Sequence, residues 1–165
     1  MRLLSPFYKK SALELAPELL GKLLCRHTEG GILKYRITET ECYCGIYDTA
    51  CHAHKGRTAR TEIMYNEGGY AYIYLCYGIH SLFNVVTGEK DCPEAVLIRG
   101  VVGFSGPGRL TKAMNIDRSL NKENLVISDK IWIEDDGFKY DYKTGKRIGI
   151  DYATPEYREK LWRFY

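Results

Sequence analysis

Between Arg36 and His54 the chain reads R-I-T-E-T-E-C-Y-C-G-I-Y-D-T-A-C-H-A-H, a dense run of carboxylates, thiols and imidazoles. It opens as a strand, with Ile37, Glu39, Glu41 and Tyr43 on one face and Thr38, Thr40 and Cys42 on the other. Two carboxylates and an aromatic ring make a poor core face. If that face is buried, its carboxylates must be paired, hydrogen-bonded or shifted in pKa, and such groups concentrate at functional sites. Gly45 ends the strand, and the polar segment after it returns Asp48, His52 and His54 toward the glutamates. The plain alternative is a surface strand with solvated glutamates.

Three chemistries could use these residues. Cys42, Cys44, Cys51, His52 and His54 suggest a zinc site, but the C-x-C and C-H-x-H spacing lacks the paired C-x₂-C knuckles of structural zinc. Glu39, Glu41, Asp48 and His52 could hold magnesium for a phosphodiesterase, although nothing in their spacing selects that reading. The third is hydrolysis at a flipped nucleobase. It needs a wedge for the gap in the duplex, flat rings around the extruded base and one carboxylate beside a water.

The second unusual segment supplies the wedge and the rings. In Y-A-Y-I-Y-L-C-Y-G-I-H-S-L-F-N-V-V-T-G, Tyr70, Tyr72 and Tyr74 alternate with Ala71, Ile73 and Leu75, giving a strand with one aromatic and one aliphatic face. Tyr77-Gly78-Ile79-His80 reads as a turn, and Leu82 to Thr87 as the returning strand. Turn tips are normally small and polar, so an apolar tip points to a wedge or a contact surface. The chain holds fourteen tyrosines against five phenylalanines and two tryptophans, a bias suited to stacking on something planar as well as to ordinary sheet packing.

These parts need a scaffold, and 165 residues are enough for one ordinary domain over the whole chain, 1–165. No run of 18 apolar residues is present, so no membrane span is expected. The N-terminal segment M-R-L-L-S-P-F-Y-K-K lacks the pattern of a signal peptide, and the six cysteines lack framework spacing. An intracellular protein with reduced thiols is expected, in the cytoplasm or nucleoid if bacterial. A net charge of +3 does not by itself argue for nucleic acid, so any DNA-binding face must be local.

Ser11-Ala12-Leu13-Glu14 has the form of a capping box, opening a short helix with Leu15, Leu19 and Leu20 inward and Gly21 after its end. Lys22 to His27 and Ile32 to Tyr43 read as a hairpin about Glu29-Gly30-Gly31. Lys55 to Tyr65 is a basic, hydroxyl-rich loop. Ala95 to Val102, apolar except for Arg99, reads as a central strand. Ser105-Gly106-Pro107-Gly108-Arg109 opens a helix through Met114, and Asn115 to Lys130 is a polar connection. Ile131–Glu134 and Arg147–Ile150 are the expected last strands, and Thr154-Pro155 starts the last helix. The fold class is therefore α+β: a curved, largely antiparallel sheet with flanking short helices and a protruding hairpin.

Five blocks, E-T-E-C-Y-C-G-I-Y-D-T-A-C-H, Y-I-Y-L-C-Y-G-I-H-S-L-F-N, A-V-L-I-R, G-P-G-R-L and L-W-R-F-Y, resemble the alkyladenine (3-methyladenine) DNA glycosylase family, in the family's order and over nearly the whole chain. The chain is most similar to the compact bacterial-type members. The resemblance implies a monofunctional enzyme that cuts the N-glycosidic bond of alkylated purines such as 3-methyladenine and 7-methylguanine, and of deaminated purines such as hypoxanthine, in duplex DNA. It implies Glu41 as the general base that activates the attacking water, and Arg99 as the arginine that helps hold it. By the same resemblance Tyr43, His52 and Tyr74 receive the flipped base, Asn84 forms the pocket floor, and Tyr77 with Ile79 enters the duplex. Arg57, Arg60 and Arg109 are the candidates for the DNA backbone. The family acts as a monomer without cofactor or metal. A non-catalytic nucleic-acid-binding module using the same hairpin is the alternative; in it Glu41 would be dispensable.

Overall fold

The computed structural model describes residues 1–165 and begins with two short helices, α1 (Ser5–Tyr8) and α2 (Ala12–Leu19). The capping box forms: Ser11 Oγ accepts from the Glu14 amide, and the Glu14 carboxylate accepts from the Ser11 amide. Leu15, Leu19 and Leu20 are buried. Pro17 sits inside one continuous helix, and Gly21 leaves it at φ +82°, a conformation that costs glycine little.

Strands β1 (Leu23–Thr28) and β2 (Gly31–Cys44) make the first hairpin, with Thr28 opposite Gly31. The basic loop that follows contains two 3₁₀ turns, His52–Lys55 and Glu62–Tyr65. Strands β3 (Ala71–Cys76) and β4 (His80–Thr87) make the second hairpin, and β5 (Glu94–Val101) follows. The remainder is β6 (Phe104–Ser105), α3 (Pro107–Ala113), β7 (Ile131–Glu134), β8 (Thr144–Gly145), α4 (Pro155–Arg158) and β9 (Arg163–Phe164).

All strands join one curled antiparallel sheet in the order β3-β4-β5-β2-β1-β7, with β6 beside β5 and β9 between β2 and β8. The single domain is α+β, as the sequence predicts. Strand β5 is central because its residues are apolar on both faces. Val96 and Ile98 enter the main core with Leu15, Leu19, Phe83 and Leu110, whereas Ala95 and Leu97 line a cavity on the opposite face. Period-two alternation divides β3 likewise: Ala71 and Ile73 join the core, Tyr72 and Tyr74 the cavity.

Two sequence expectations are corrected. Ile37 does not share the face of Glu41 and Tyr43; it packs in the main core with Cys42 and Val101. The β2–β5 pairing slips on either side of Glu39, and this irregularity turns the strand between Ile37 and Thr40. Arg147–Ile150 is not a strand but an irregular connection that bends at Ile148–Gly149, without sheet pairing. The short strand β9 occupies the edge position beside Thr40 and Glu41 instead.

Thr40, fully buried, ties this strand to the helix layer by donating its hydroxyl to the Ala16 carbonyl at 2.8 Å. Thr40→Val keeps the shape and leaves that carbonyl without its partner. It is expected to lower stability by about 1–3 kcal/mol in urea unfolding, without loss of fold.

Candidate active site

The aromatic face of β3 and the polar face of β2 meet in a cavity of about 320 Å³, within the usual range for small-molecule sites of roughly 300–1,000 Å³. Tyr43, His52, Tyr72, Tyr74 and Asn84 line it, with Ala95 and Leu97 from β5. Tyr77 stands at its mouth, and Gly149 and Tyr152 reach it from the C-terminal part of the chain. The structure thus brings together Tyr43, His52, Tyr74, Tyr77 and Asn84, which the sequence could place only on separate segments.

Glu41 sits on β2 beside this cavity with no solvent exposure. Its Oε1 accepts from the Tyr43 hydroxyl at 2.9 Å and lies 3.8 Å from Arg99 Nη1. Its Oε2 accepts from the Ile148 amide at 2.6 Å. Burial raises the Glu41 pKa above the ordinary carboxylate value, while Arg99, the Ile148 amide, the Tyr43 hydroxyl and Arg147 pull it back. The Tyr43 phenol is pushed well up by its burial and by the neighbouring carboxylate, so it is a hydrogen-bond donor to Glu41 throughout the neutral range. Arg99 is steadied by Glu39, whose Oε1 accepts from Arg99 Nε at 3.2 Å and from Arg163 Nη1 at 3.1 Å.

The cavity's imidazole is held neutral. His52 is lowered to about 4 by burial and by the positive charges of Arg60 and Lys55. Its Nδ1 lies 2.8 Å from the Tyr72 hydroxyl, and its ring meets Tyr74 edge-on with centroids 4.5 Å apart. Asn84 is buried and donates Nδ2 to the Tyr72 carbonyl at 3.2 Å.

At the hairpin tip, Tyr77 is 91 % exposed and Ile79 74 %. Tyr77 and Gly78 both hold positive φ, +53° and +67°, the backbone of a tight hairpin turn. Helix α3 braces the second strand: Thr111 Oγ1 donates to the Ser81 carbonyl at 2.7 Å, and the bare Gly108 Cα faces the His80 ring.

The three arginine candidates differ. Arg57 is taken up by Glu62, which it grips through Nε and Nη2 at 2.8 and 2.7 Å, and lies near Asp91. Arg60 has no carboxylate partner; it lies over the Tyr74 ring and lines two clefts that adjoin the aromatic cavity. One cleft also holds Lys55, Thr58 and Thr61, the other Arg118 and Lys122. Arg109 is exposed in the first turn of α3.

The metal-site groupings are dispersed. Cys42 and Cys44 face the core side of β2, Cys51 and His52 the cavity side, and His54 Nδ1 lies 2.7 Å from the Ile46 carbonyl. No three His, Cys, Asp or Glu side chains converge as a metal ion requires. All six cysteines are free thiols. Asp48 turns away from Glu41 into a fully buried ion pair with Arg147, at 2.6 and 3.0 Å.

Sequence reasoning missed Arg147, Ile148 and Tyr152. The one available signal was the charge of Arg147 at the head of an otherwise apolar run, a poor fit to a strand interior.

The neutral state of His52 has a direct check. In the protein without DNA, its ring is expected to titrate near pH 4 by nuclear magnetic resonance. Because this pKa lies below the ordinary histidine value, protonation opposes folding. Stability should decline as pH falls below about 6.5 and level off below about 4, a decline that His52→Gln reduces.

Comparison with known proteins accords with this geometry. The sequence matches the family profile "Methylpurine-DNA glycosylase (MPG)" over residues 6–105 and 103–165. A protein from Natranaerobius thermophilus is 44% identical over all of this chain and 95% of its own length. One from Borreliella afzelii is 44% identical over 96% of this chain and 92% of its own, and one from Clostridium perfringens 41% identical over 100% and 95%. All three carry the name "Putative 3-methyladenine DNA glycosylase". The chain belongs to the methylpurine-DNA glycosylase family.

Proposed function

We propose that this chain is a monofunctional DNA glycosylase that releases alkylated purines, 3-methyladenine and 7-methylguanine among them, from duplex DNA by base flipping. The observation that carries the reading is the Glu41 carboxylate: buried beside an aromatic cavity, held by two donors and adjacent to Arg99. In the proposed step a water oxygen bonds to the deoxyribose C1′ and its proton passes to Glu41. The C1′–N bond breaks and its electron pair leaves with the base. A cationic N-alkylated purine departs neutral, so a single general base suffices and the reaction requires neither cofactor nor metal.

The cavity suits that substrate. It is lined by aromatic rings and its histidine is neutral, so a delocalised positive charge meets attraction rather than repulsion. Hypoxanthine is neutral and leaves as an anion unless a donor reaches it; its release should be slower. Asn84 at the pocket floor would disfavour the exocyclic amine of an undamaged guanine. Tyr77 and Ile79 would fill the space the base vacates, and a monomer presents all these parts on one face.

The test is single-turnover base release from methylated duplexes in excess EDTA, for wild type and Glu41→Gln. Release by the wild type alone, with the variant still binding, is the expected result. The wild-type rate should also show an acid limb with its midpoint above 4.5, because Glu41 acts deprotonated and burial raises its pKa. Binding without release by either protein would instead make the chain a recognition module.

Backbone contact has its own signature. If Arg60 neutralises one phosphate, Arg60→Ala should lower the magnitude of the log affinity–log salt slope by about 0.9. Arg57→Ala should leave the slope unchanged, since Glu62 and Asp91 already hold that guanidinium. Tyr77→Ala should weaken binding to lesion-containing duplex more than to intact duplex.

A further inference from the structure

Of the chain's ion pairs, only Asp48–Arg147 has both side chains at 0 % exposure. Burying two charges is costly unless further hydrogen bonds satisfy them. Here they are main-chain bonds. Asp48 accepts from the Cys44 and Ala50 amides, and Arg147 donates to the Cys42 and Tyr157 carbonyls. The guanidinium also lies 4.9 Å from the centroids of both Tyr43 and Trp162.

The positions of those bonds in the chain close a ring around the carboxylate. Cys42 directly follows Glu41, and its carbonyl is fixed by Arg147 Nη1 at 3.0 Å. Ile148 directly follows Arg147, and its amide is the donor to Glu41 Oε2. The segment carrying that amide has no sheet partner, and the Ile148 side chain is itself half exposed. The guanidinium thus bonds to main chain on both sides of the Ile148–Glu41 contact; upstream, the Lys146 carbonyl accepts from Arg163 Nε at 3.0 Å. Apolar packing of equal volume would fill the space but would fix neither main-chain group.

We propose that Asp48 and Arg147 are positioning residues for the reaction: their ion pair aims the Ile148 amide at Glu41 and so sets the carboxylate's orientation and readiness to accept a proton. This rests on the reading of Glu41 as the general base. The other groups facing Glu41 are Tyr43 on β2, Arg99 on β5, and Tyr152 from the C-terminal segment, with Glu39 and Arg163 behind Arg99. None of them is removed by changing the ion pair, but the Arg147 charge itself lowers the Glu41 pKa, so freeing it from Asp48 acts against the effect of a lost donor.

Two variants probe the two ends of the device. Asp48→Asn breaks the ion pair; Ile148→Pro removes the one N–H it aims and leaves the pair in place. Each is followed by single-turnover base release across pH, together with DNA affinity and thermal melting. Loss of a donor to the carboxylate raises its pKa, so the acid limb should move to higher pH by about one unit in Ile148→Pro. In Asp48→Asn it should move in the same direction but by less, because the freed Arg147 charge alone would move it to lower pH. Below the limb one unit is about a tenfold loss of rate, while the rates converge on the wild-type value toward alkaline pH and DNA affinity stays unchanged. The double variant should move the limb no further than Ile148→Pro alone.

A merely structural ion pair would lower the melting temperature and leave the limb where it is or, through the freed Arg147 charge, at lower pH. That result in folded Asp48→Asn overturns the proposal. If Asp48→Asn does not fold, an unmoved limb in Ile148→Pro overturns it alone. The wild type separates this outcome from failure of the underlying reading. No release by the wild type, or an acid limb that persists in Glu41→Gln, would remove Glu41 as the base.

Discussion

The fold is constrained above all by the need to keep one carboxylate, Glu41, out of water. A charged group in that position is strongly disfavoured unless hydrogen bonds and a nearby cation replace its hydration. The replacements come from segments far apart in sequence: Tyr43 two residues along β2, Arg99 on β5, and the Ile148 amide from the C-terminal connection. Each carries a secondary requirement. Arg99 needs Glu39 as its partner, Glu39 is shared with Arg163, and Arg163 is brought there by β9 pairing beside Glu41. The last strand of the chain is therefore part of the environment of a residue early in it.

The sheet solves this by giving its two faces different chemistry. The side toward α2 and α3 holds the apolar core, and the opposite side holds the carboxylates and the tyrosines. Strand β5 must serve both, which explains why it is nearly apolar throughout yet carries Arg99 where the pairing with β2 slips. That slip beside Glu39 lets Ile37 and Val101 stay in the core while Glu39, Glu41 and Arg99 face the other way. A perfectly regular ladder would have put Ile37 on the carboxylate face.

Much of this was legible in the sequence because it depended on local periodicity. The capping box at Ser11, both hairpins, the central strand and the opposed faces of the tyrosine strand all follow from spacing within a few residues. The likeness of five blocks to one family then supplied what no spacing could, namely that the carboxylate strand and the tyrosine hairpin belong to one site. What escaped was non-local. Asp48 looked like a member of the polar cluster near Glu41, yet it pairs with a residue 99 positions away. Arg147–Ile150 looked like a strand because apolar residues surround the arginine, but a buried guanidinium bonded to Asp48 and two carbonyls cannot sit in a regular ladder. The slip at Glu39 had no marker on its own strand; its one sign is Gly100, the residue that pairs with Glu39 from β5.

The hairpin tip shows the same trade between local cost and placement. Tyr77 adopts a left-handed backbone that costs a non-glycine residue roughly 1–2 kcal/mol, and it holds a large ring almost wholly in solvent. Neither feature helps folding. Both persist because the strands below are tightly specified: Tyr72 and Phe83 are buried on opposite faces of the hairpin, so a one-residue slip would turn core residues into the cavity and cavity tyrosines into the core. Helix α3 fixes the inner strand β4 through Thr111, and glycine at position 108 gives the His80 ring its room. The tip is thus a tight turn set on paired strands rather than a long loop. For the duplex-entering role proposed for Tyr77, a ring presented on such a support has less freedom to lose when it meets a partner.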